Sequence, residues 1–485
     1  MFLFLQANKK ITVLIDIPKE HKAIFKTIGE AADSLDQRVF VVGGYVRDYY
    51  LNRRSEASKD IDFVTVGSGI QLAEEVGKKL GSSNISIFKQ FGTAQVKHND
   101  LDLEFVGARK ESYRRNSRKP IVEDGTLEDD QLRRDLTINA LSWCLNPDAF
   151  GVLHDPFEGI QDLQNKIIRT PIDPEKTFDD DPLRMMRAIR FATQLDFNIE
   201  KQTMNAIKKM APRLAIISKE RIIDELNKIV LAQKPSIGFA LLLETNLLKQ
   251  FFPEMVDLKG VEEVKGQRHK DNFWHTLKVL DNTAEVSDDL WLRWAAIMHD
   301  IAKPPTKKFV KGTGWTFHGH DAVGAKWVPR IFRRLGLPLD DRMKYVQKLV
   351  RLHLRPIALA SEEVSDSAIR RLIFEAGDEI DDLMTLCRAD ITSKNEWKVQ
   401  KYLNNFDRVE QKIETVEEKD RIRKWKNPIS GEEIMKVLDT KPGPIVGEVK
   451  DRIKDAILDG EIPNDHDKAF QYLLRLKTEL IDNKE

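Results

Sequence analysis

Asp60 and Asp62 alternate along the apolar run DIDFVTV, and alternation sets both carboxylates on one face of a β-strand. Like charges so placed repel unless a cation neutralises them. Hard oxygen donors of this kind suit Mg2+, which takes one or two carboxylates together with phosphate oxygens. Ile61, Phe63 and Val64 argue that the strand is buried on its other side rather than being a solvated edge. About a dozen residues earlier, VVGGYVRD places Gly43 and Gly44 behind an apolar strand. Such a turn lets backbone N–H groups approach a phosphate, and Arg47 could add a charge-assisted contact. A double glycine is common, so this turn decides nothing alone. Further along, LDLEFVGA alternates Asp102 and Glu104 on another strand. Three carboxylates converging from neighbouring strands can form a two-metal site, with ions ~3.5–4 Å apart flanking an in-line phosphoryl displacement.

A second constellation lies further on. Six of the ten histidines fall between His269 and His353. His275, the pair His299–Asp300, His320, His353 and then Asp390 form an ordered series on stretches with helical periodicity. Neutral imidazoles with carboxylates are usual ligands of catalytic divalent sites. His318 is an alternative to His320, and the spacing to the following Gly-Ala favours His320.

These residues need elements to hold them. Up to about residue 168, short β-rich runs (RVFVVGG, DIDFVTV, ISIFKQFGTAQVKH, LDLEFVGA) mix with helical stretches, which predicts an α+β head with a small mixed sheet. From Thr177 onward strand signals almost vanish and apolar residues recur at three-and-four spacing, so the rest reads as all-α. The polar run from Arg109 to Asp130 is the best candidate for a long mobile loop.

The 485 residues suggest about three domains at roughly 150 residues each. Lys plus Arg and Asp plus Glu balance at 78 each, so any nucleic-acid contact must come from local patches. Cys144 and Cys387 lack CxxC spacing and read as reduced thiols. The apolar run in MFLFLQANKK is short, and no segment approaches about 18 unbroken apolar residues. A cytoplasmic protein with no membrane partner is the expectation.

G-G-x-V-R-D followed by D-I-D resembles the nucleotidyltransferase superfamily. More narrowly it is similar to class II tRNA nucleotidyltransferases (CCA-adding enzymes) and the related bacterial poly(A) polymerases. DDQLRRDLTINALSW, HDPFEGIQDLQNKIIRT and DDDPLRMMRAIRFATQL extend the resemblance, in the family's order, from about Phe40 to Leu226. It implies that Asp60 and Asp62 bind Mg2+ with Glu104 as third carboxylate, in a two-metal nucleotidyl transfer. It also implies that Gly43, Gly44, Arg47 and Arg134 contact the nucleotide. The helix from Asp181 would carry the base-reading template. Asp181 would accept from an exocyclic amine and Arg184 would donate to ring acceptors, selecting CTP or ATP, with Arg187 and Arg190 also touching the nucleotide. On residue chemistry alone, Asp181–Arg184 is more often a surface ion pair at helical spacing. Asp180 stands where the family carries glutamate.

The segment FKQFGTAQVKH lacks the basic stretch of the poly(A) polymerases, and the full-length Arg109–Asp130 loop favours finishing with A. Full CCA addition is therefore the first reading. A poly(A) polymerase or A-adding enzyme is the alternative, and an RNA phosphohydrolase is the alternative of another class. The histidine series resembles the HD phosphohydrolase domain, which implies a divalent metal of unknown identity at His275, His299, Asp300, His320, His353 and Asp390. The corresponding organisation is a nucleotidyltransferase head over 1–168, a helical neck over 169–250, an HD domain over 251–395 and a helical tail over 396–485. Partners would be tRNA, CTP and ATP, with oligomeric state open. Candidate RNA-contacting stretches are Arg114–Lys119, Lys303–Lys308, Lys419–Lys426 and the Pro/Gly-punctuated GEEIMKVLDTKPGPIVGEVK.

Overall fold

The computed structural model describes residues 17–53, 59–89, 92–114, 117–261, 263–264, 267–268, 271–360, 365–393, 395–420, 425 and 427–482. The chain divides into two compact units, Met1–Phe251 and Phe252–Glu485.

The first unit is organised by a seven-stranded mixed sheet. Its strands are β1 (Arg38–Val42), β2 (Asp60–Val66), β3 (Ile85–Phe88), β4 (Thr93–His98), β5 (Leu101–Gly107), β8 (Ser142–Cys144) and β9 (Leu153–His154). They lie side by side in the order β3-β4-β5-β2-β1-β8-β9. β2 and β5 are parallel, and their register pairs Phe63 with Phe105 and Asp62 with Glu104. Burial explains the register. Ile61, Phe63, Leu103 and Phe105 point to one face and are fully enclosed there. On that face Phe63 stacks on Phe105 at 5.0 Å and meets Phe25 edge-on at 5.6 Å. Phe25 belongs to the helix Lys19–Ser34, which covers this face with the helix Gly69–Leu80. The opposite face is mixed. Val64 joins Phe40, Val42, Leu127 and Cys144 in a second small core, while Asp60 and Asp62 occupy its open end.

The run expected as a loop is ordered differently. β6 (Arg109–Arg114) and β7 (Ser117–Asp124) pair antiparallel as a ribbon, irregular between Ser112 and Arg114. The helix Leu127–Leu132 follows, opened by a capping box of Thr126 and Asp129. A two-stranded ribbon needs only backbone pairing, so its polar composition gave no apolar alternation to read.

Beyond the sheet, the unit continues in helices, among them Pro174–Asp180, Leu183–Leu195 and Lys219–Val230, the last two packed together. Asp181 is not on a helix. It is extended (φ −142°, ψ 102°), because Pro182 disfavours helical geometry in the residue before it, and the next helix starts at Leu183.

Among the described residues, the second unit is helical apart from two short ribbons, Glu263–Val264 with Gln267–Arg268 and Lys308–Val310 with Gly314–Thr316. The helices Gly431–Leu438, Pro444–Leu458 and His466–Asp482 bury Ile434, Ile453 and Leu473 between them. No helix among the described residues is long and apolar enough to cross a membrane. Cys144 and Cys387 are buried free thiols.

Candidate active site

The β2–β5 register brings Asp62 beside Glu104 on the open end of the sheet face, with Asp60 next along β2. All three are open to solvent. Asp62 and Glu104 are nevertheless pushed up from the ordinary carboxylate range, by partial loss of water first and then by the neighbouring carboxylates. Arg134 and Arg187 pull Asp62 the other way. Asp102 faces Asp60 in the register and is taken by Lys97 at 3.6 Å. The donor set is all oxygen and its mutual repulsion is only partly relieved, which fits a hard divalent cation.

Gly43 joins this face to what lies beside it. Its φ of +71° lies in the region that favours glycine, and a Cβ there would meet Arg134 Nη1 at 3.3 Å and Asp62 Oδ2 at 3.9 Å. Gly44 opens a seven-residue helix, Gly44–Tyr50. Arg47, one turn on, is already held: it donates through Nη1 to Asn139 Oδ1 (2.8 Å) and through Nε to Asp48 (2.8 Å), and lies 4.9 Å from the centre of the Phe191 ring.

Next to Gly43 opens a cleft of about 440 Å³ walled by arginines. Arg133 and Arg134 project into it from one carboxylate, the fully buried Asp130, which accepts from Arg133 Nε at 2.9 Å and from Arg134 Nε at 3.1 Å. Arg187 is held by Asp135 Oδ2 at 2.6 Å, and Asn139 donates to the other oxygen at 3.1 Å. Burial works against the charge on Asp135, but Arg187 and the hydrogen bonds outweigh it and bring its pKa down to about 2. Arg190 sits behind the wall against Glu225 (3.1 Å) and over Phe191, and burial lowers its pKa. Asp181 and Arg184 line the cleft together; Arg184 N donates to the Asp181 carbonyl at 3.0 Å, while the two side chains turn to other partners. Asp181 Oδ2 accepts from Arg221 Nη2 at 3.0 Å and its Oδ1 from Leu183 N at 3.1 Å. The buried Arg184 reaches the Thr177 carbonyl at 3.4 Å.

The second unit assembles the histidine series. His275 lies in the helix Asn272–Val286, and His320 opens the helix His320–Leu335. His299, His353 and Asp390 cap the ends of Leu290–Met298, Asp341–Leu352 and Ile380–Ala389. His299, His320 and His353 each donate Nδ1–H to the carbonyl three residues back, at 2.7, 2.7 and 2.8 Å. In the neutral ring that tautomer leaves a lone pair on Nε2, and all three Nε2 atoms face Asp300, at 3.2, 3.2 and 3.9 Å, with those of His320 and His353 3.3 Å apart. His275 Nε2 lies 3.3 Å from Asp300 and 2.9 Å from Asp390, while its Nδ1 meets Thr392 Oγ1 at 2.8 Å. Burial opposes a charge on His275, but Asp300 and Asp390 outweigh it and raise its pKa to about 9. Burial, with His299 close by, holds His353 down at about 4. His299 Nε2 is buried with no hydrogen-bond partner, an orphan lone pair that fits a metal ligand. Among the described residues, the groups whose donor atoms lie within 4.8 Å of one another are His275–His299–Asp300 and Asp300–His320–His353; the head carboxylates do not draw together to that degree.

Three family models match in chain order: the poly A polymerase head domain over residues 39–169, a probable RNA and SrmB-binding site of polymerase A over 196–258, and the HD domain over 272–394. The A-adding tRNA nucleotidyltransferase of Deinococcus radiodurans is 31% identical over 435 residues, which span 87% of this chain and 92% of that protein. The chain belongs to the tRNA nucleotidyltransferase family. The multifunctional CCA protein of Shewanella frigidimarina, 30% identical over 378 residues, covers 75% of this chain and 86% of its own. The fold is that of the Bacillus stearothermophilus CCA-adding enzyme solved in complex with CTP, at a TM-score of 0.64 and 23% identity over 96% of this chain and 99% of that one. The protein is accordingly a nucleotidyltransferase.

Several residues that shape this nucleotidyltransferase's cleft escape a reading by motif. Asp130 precedes the Arg-Arg-Asp triplet by three residues, a helical spacing that could have revealed its grip on both arginines. Arg221, Asp224, Glu225 and Lys228 also line or back the cleft, from the helix Lys219–Val230. Their three-and-four spacing was the available signal. Of the basic stretches, the side chains of 114–119 and most of 419–426 lie outside the described residues. Within Lys303–Lys308, Lys303 turns inward to Asp300.

Proposed function

We propose that the protein completes the 3′ end of tRNA, adding C, C and A from CTP and ATP without a nucleic-acid template, in the cytoplasm. The observation that supports this reading is the position of Gly43, where a Cβ would meet Arg134 Nη1 at 3.3 Å and Asp62 Oδ2 at 3.9 Å, so that a ligand on the turn would touch both the carboxylate face and the arginines. A triphosphate lying along the glycine turn would meet Arg134, while its base faced Asp181 and Arg184. Mg2+ held by Asp60, Asp62 and Glu104 would supply charge neutralisation at the triphosphate. Asp130 keeps Arg133 and Arg134 extended into the cleft. Asp135 does the same for Arg187, and Arg190 supports the wall from behind.

In the same proposal, His275, His299, Asp300, His320, His353 and Asp390 hold a divalent cation for a separate phosphohydrolase activity. The convergence of Nε2 atoms and the orphan His299 lone pair support that site.

A second reading, addition of the terminal A alone, is favoured by the name of the Deinococcus relative. Incubation with tRNA ending before CCA, and with tRNA ending in CC, separates the two when CTP and ATP are supplied singly and together. Extension of the shorter tRNA by two C and one A supports full addition. Extension of only the CC-ending tRNA supports the second reading, and incorporation into neither overturns both.

A further inference from the structure

Asp181 can select a base only if it presents an acceptor at a fixed place. Cytosine and adenine carry an exocyclic amine where uracil and guanine carry a carbonyl oxygen. A fixed carboxylate oxygen therefore attracts the first pair and repels the second. Asp181 lies in an extended junction between two helices, where no helical backbone fixes its side chain. Two donors do so instead. Leu183 N takes Oδ1 at 3.1 Å and Arg221 Nη2 takes Oδ2 at 3.0 Å. Arg184 is directed elsewhere, to the Thr177 carbonyl.

We infer that Arg221 is the positioning residue that sets base selection, by clamping the Asp181 carboxylate so that its remaining lone pairs face the cleft. A carboxylate offers about four acceptor sites, so the two bonds it makes leave room for an exocyclic amine. Arg221 comes from the helix Lys219–Val230, so selection at a junction in one part of the cleft is anchored from another. With side-chain exposures of 38% for Arg221 and 19% for Asp181, the clamp is a cleft-wall contact rather than a core one, and its loss leaves the fold in place. This inference rests on the proposed reading of Asp181 and Arg184 as the base template.

The test uses the full-length protein with CC-ending tRNA and measures kcat/KM for ATP and for GTP in wild type, R221Q, R221K and D181A. Thermal unfolding accompanies each variant. R221Q is expected to lower the ATP-to-GTP ratio by about tenfold or more with an unchanged unfolding midpoint, as the loss of a charge-assisted bond implies. R221K, which keeps the charge but loses the planar fork, is expected to recover part of that ratio. A ratio unchanged in R221Q but collapsed in D181A overturns the role of Arg221 and leaves the template reading standing. A ratio unchanged in both overturns the template reading with it. Tighter ATP binding by R221Q would also overturn the inference, since Arg221 would then be an obstruction that the base displaces.

Discussion

Asp62 stands directly opposite Glu104 across the parallel pair β2 and β5, in the same register that sets Phe63 against Phe105. The packing of the two phenylalanines on one face thus fixes the juxtaposition of two carboxylates on the other. A one-residue slip would bury the acids and expose the rings, so the core holds the site in place. Asp62→Asn and Asp60→Ala are accordingly expected to reduce nucleotide addition by at least about 10³-fold while leaving the unfolding midpoint unchanged or slightly raised. Incorporation of labelled ATP into CC-ending tRNA, with a parallel thermal melt, checks both halves. A variant with near-normal incorporation would remove these carboxylates from the chemistry.

Gly43→Ala tests the turn. The new Cβ would sit in a left-handed conformation, 3.3 Å from Arg134 Nη1, so the cost falls on backbone and arginine together. A destabilisation of about 1–2 kcal/mol is expected. The KM for ATP should rise as Arg134 shifts. A variant that keeps wild-type KM would show that the turn and Arg134 do not share the nucleotide.

Asp130→Ala should act on two arginines at once. Asp130 is fully buried and neutralises both Arg133 and Arg134. Breaking such a group by removing one partner costs about 3–5 kcal/mol. The stability loss should come with a higher KM for both CTP and ATP, because these arginines line the cleft irrespective of the base. A KM that rises for only one nucleotide would place them at the base instead.

The sheet and the carboxylates were legible because their signal is local. Alternation in DIDFVTV and LDLEFVGA fixes which side chains share a face, and Gly43–Gly44 fixes where a turn must lie. Asp181 misled because the helical spacing to Arg184 was read across Pro182, whose ring reaches back to the preceding residue. The ribbon of β6 and β7 was hidden by its polarity. The Asp135–Arg187 and Asp181–Arg221 pairs were out of reach for a different reason: they join residues 52 and 40 positions apart, which no spacing rule connects. The histidine series was legible as an ordered set of ligand types, but the carbonyls that set each tautomer became visible only once the helix ends were in place.

Asp135 gives the cleft a pH signature. Its pKa is depressed from 3.8 to about 2, so its folded-state contribution is fully present above pH ~4 and lost as pH falls through the folded value. The shift corresponds to about 2 kcal/mol, of which about half is gone by pH 3. Asp135→Asn lacks that titration and leaves the half-buried Arg187 without its carboxylate. The stability gap between wild type and Asp135→Asn should therefore narrow from pH 6 to pH 3, measured by denaturant unfolding of the full chain. A gap independent of pH would mean that the Asp135–Arg187 pair is not what holds the wall.

The two sites should be separable by single substitutions. His299 has a buried, unpartnered Nε2 facing Asp300, and it lies in the second compact unit, whereas every residue of the carboxylate face and the arginine cleft lies in the first. His299→Ala removes this imidazole while adding no charge. It is expected to abolish tight divalent-metal retention after dialysis, read by elemental analysis per chain, and with it any release of phosphate from nucleotide substrates. Nucleotide addition to CC-ending tRNA should stay within about twofold of wild type, because the variant touches no group in the transfer site. Asp62→Asn should show the reverse, retaining the metal of the histidine site while losing addition. If His299→Ala halted addition in a protein that still melts cooperatively at the wild-type temperature, the two chemistries would be coupled and the independence argued from the separate units would fall.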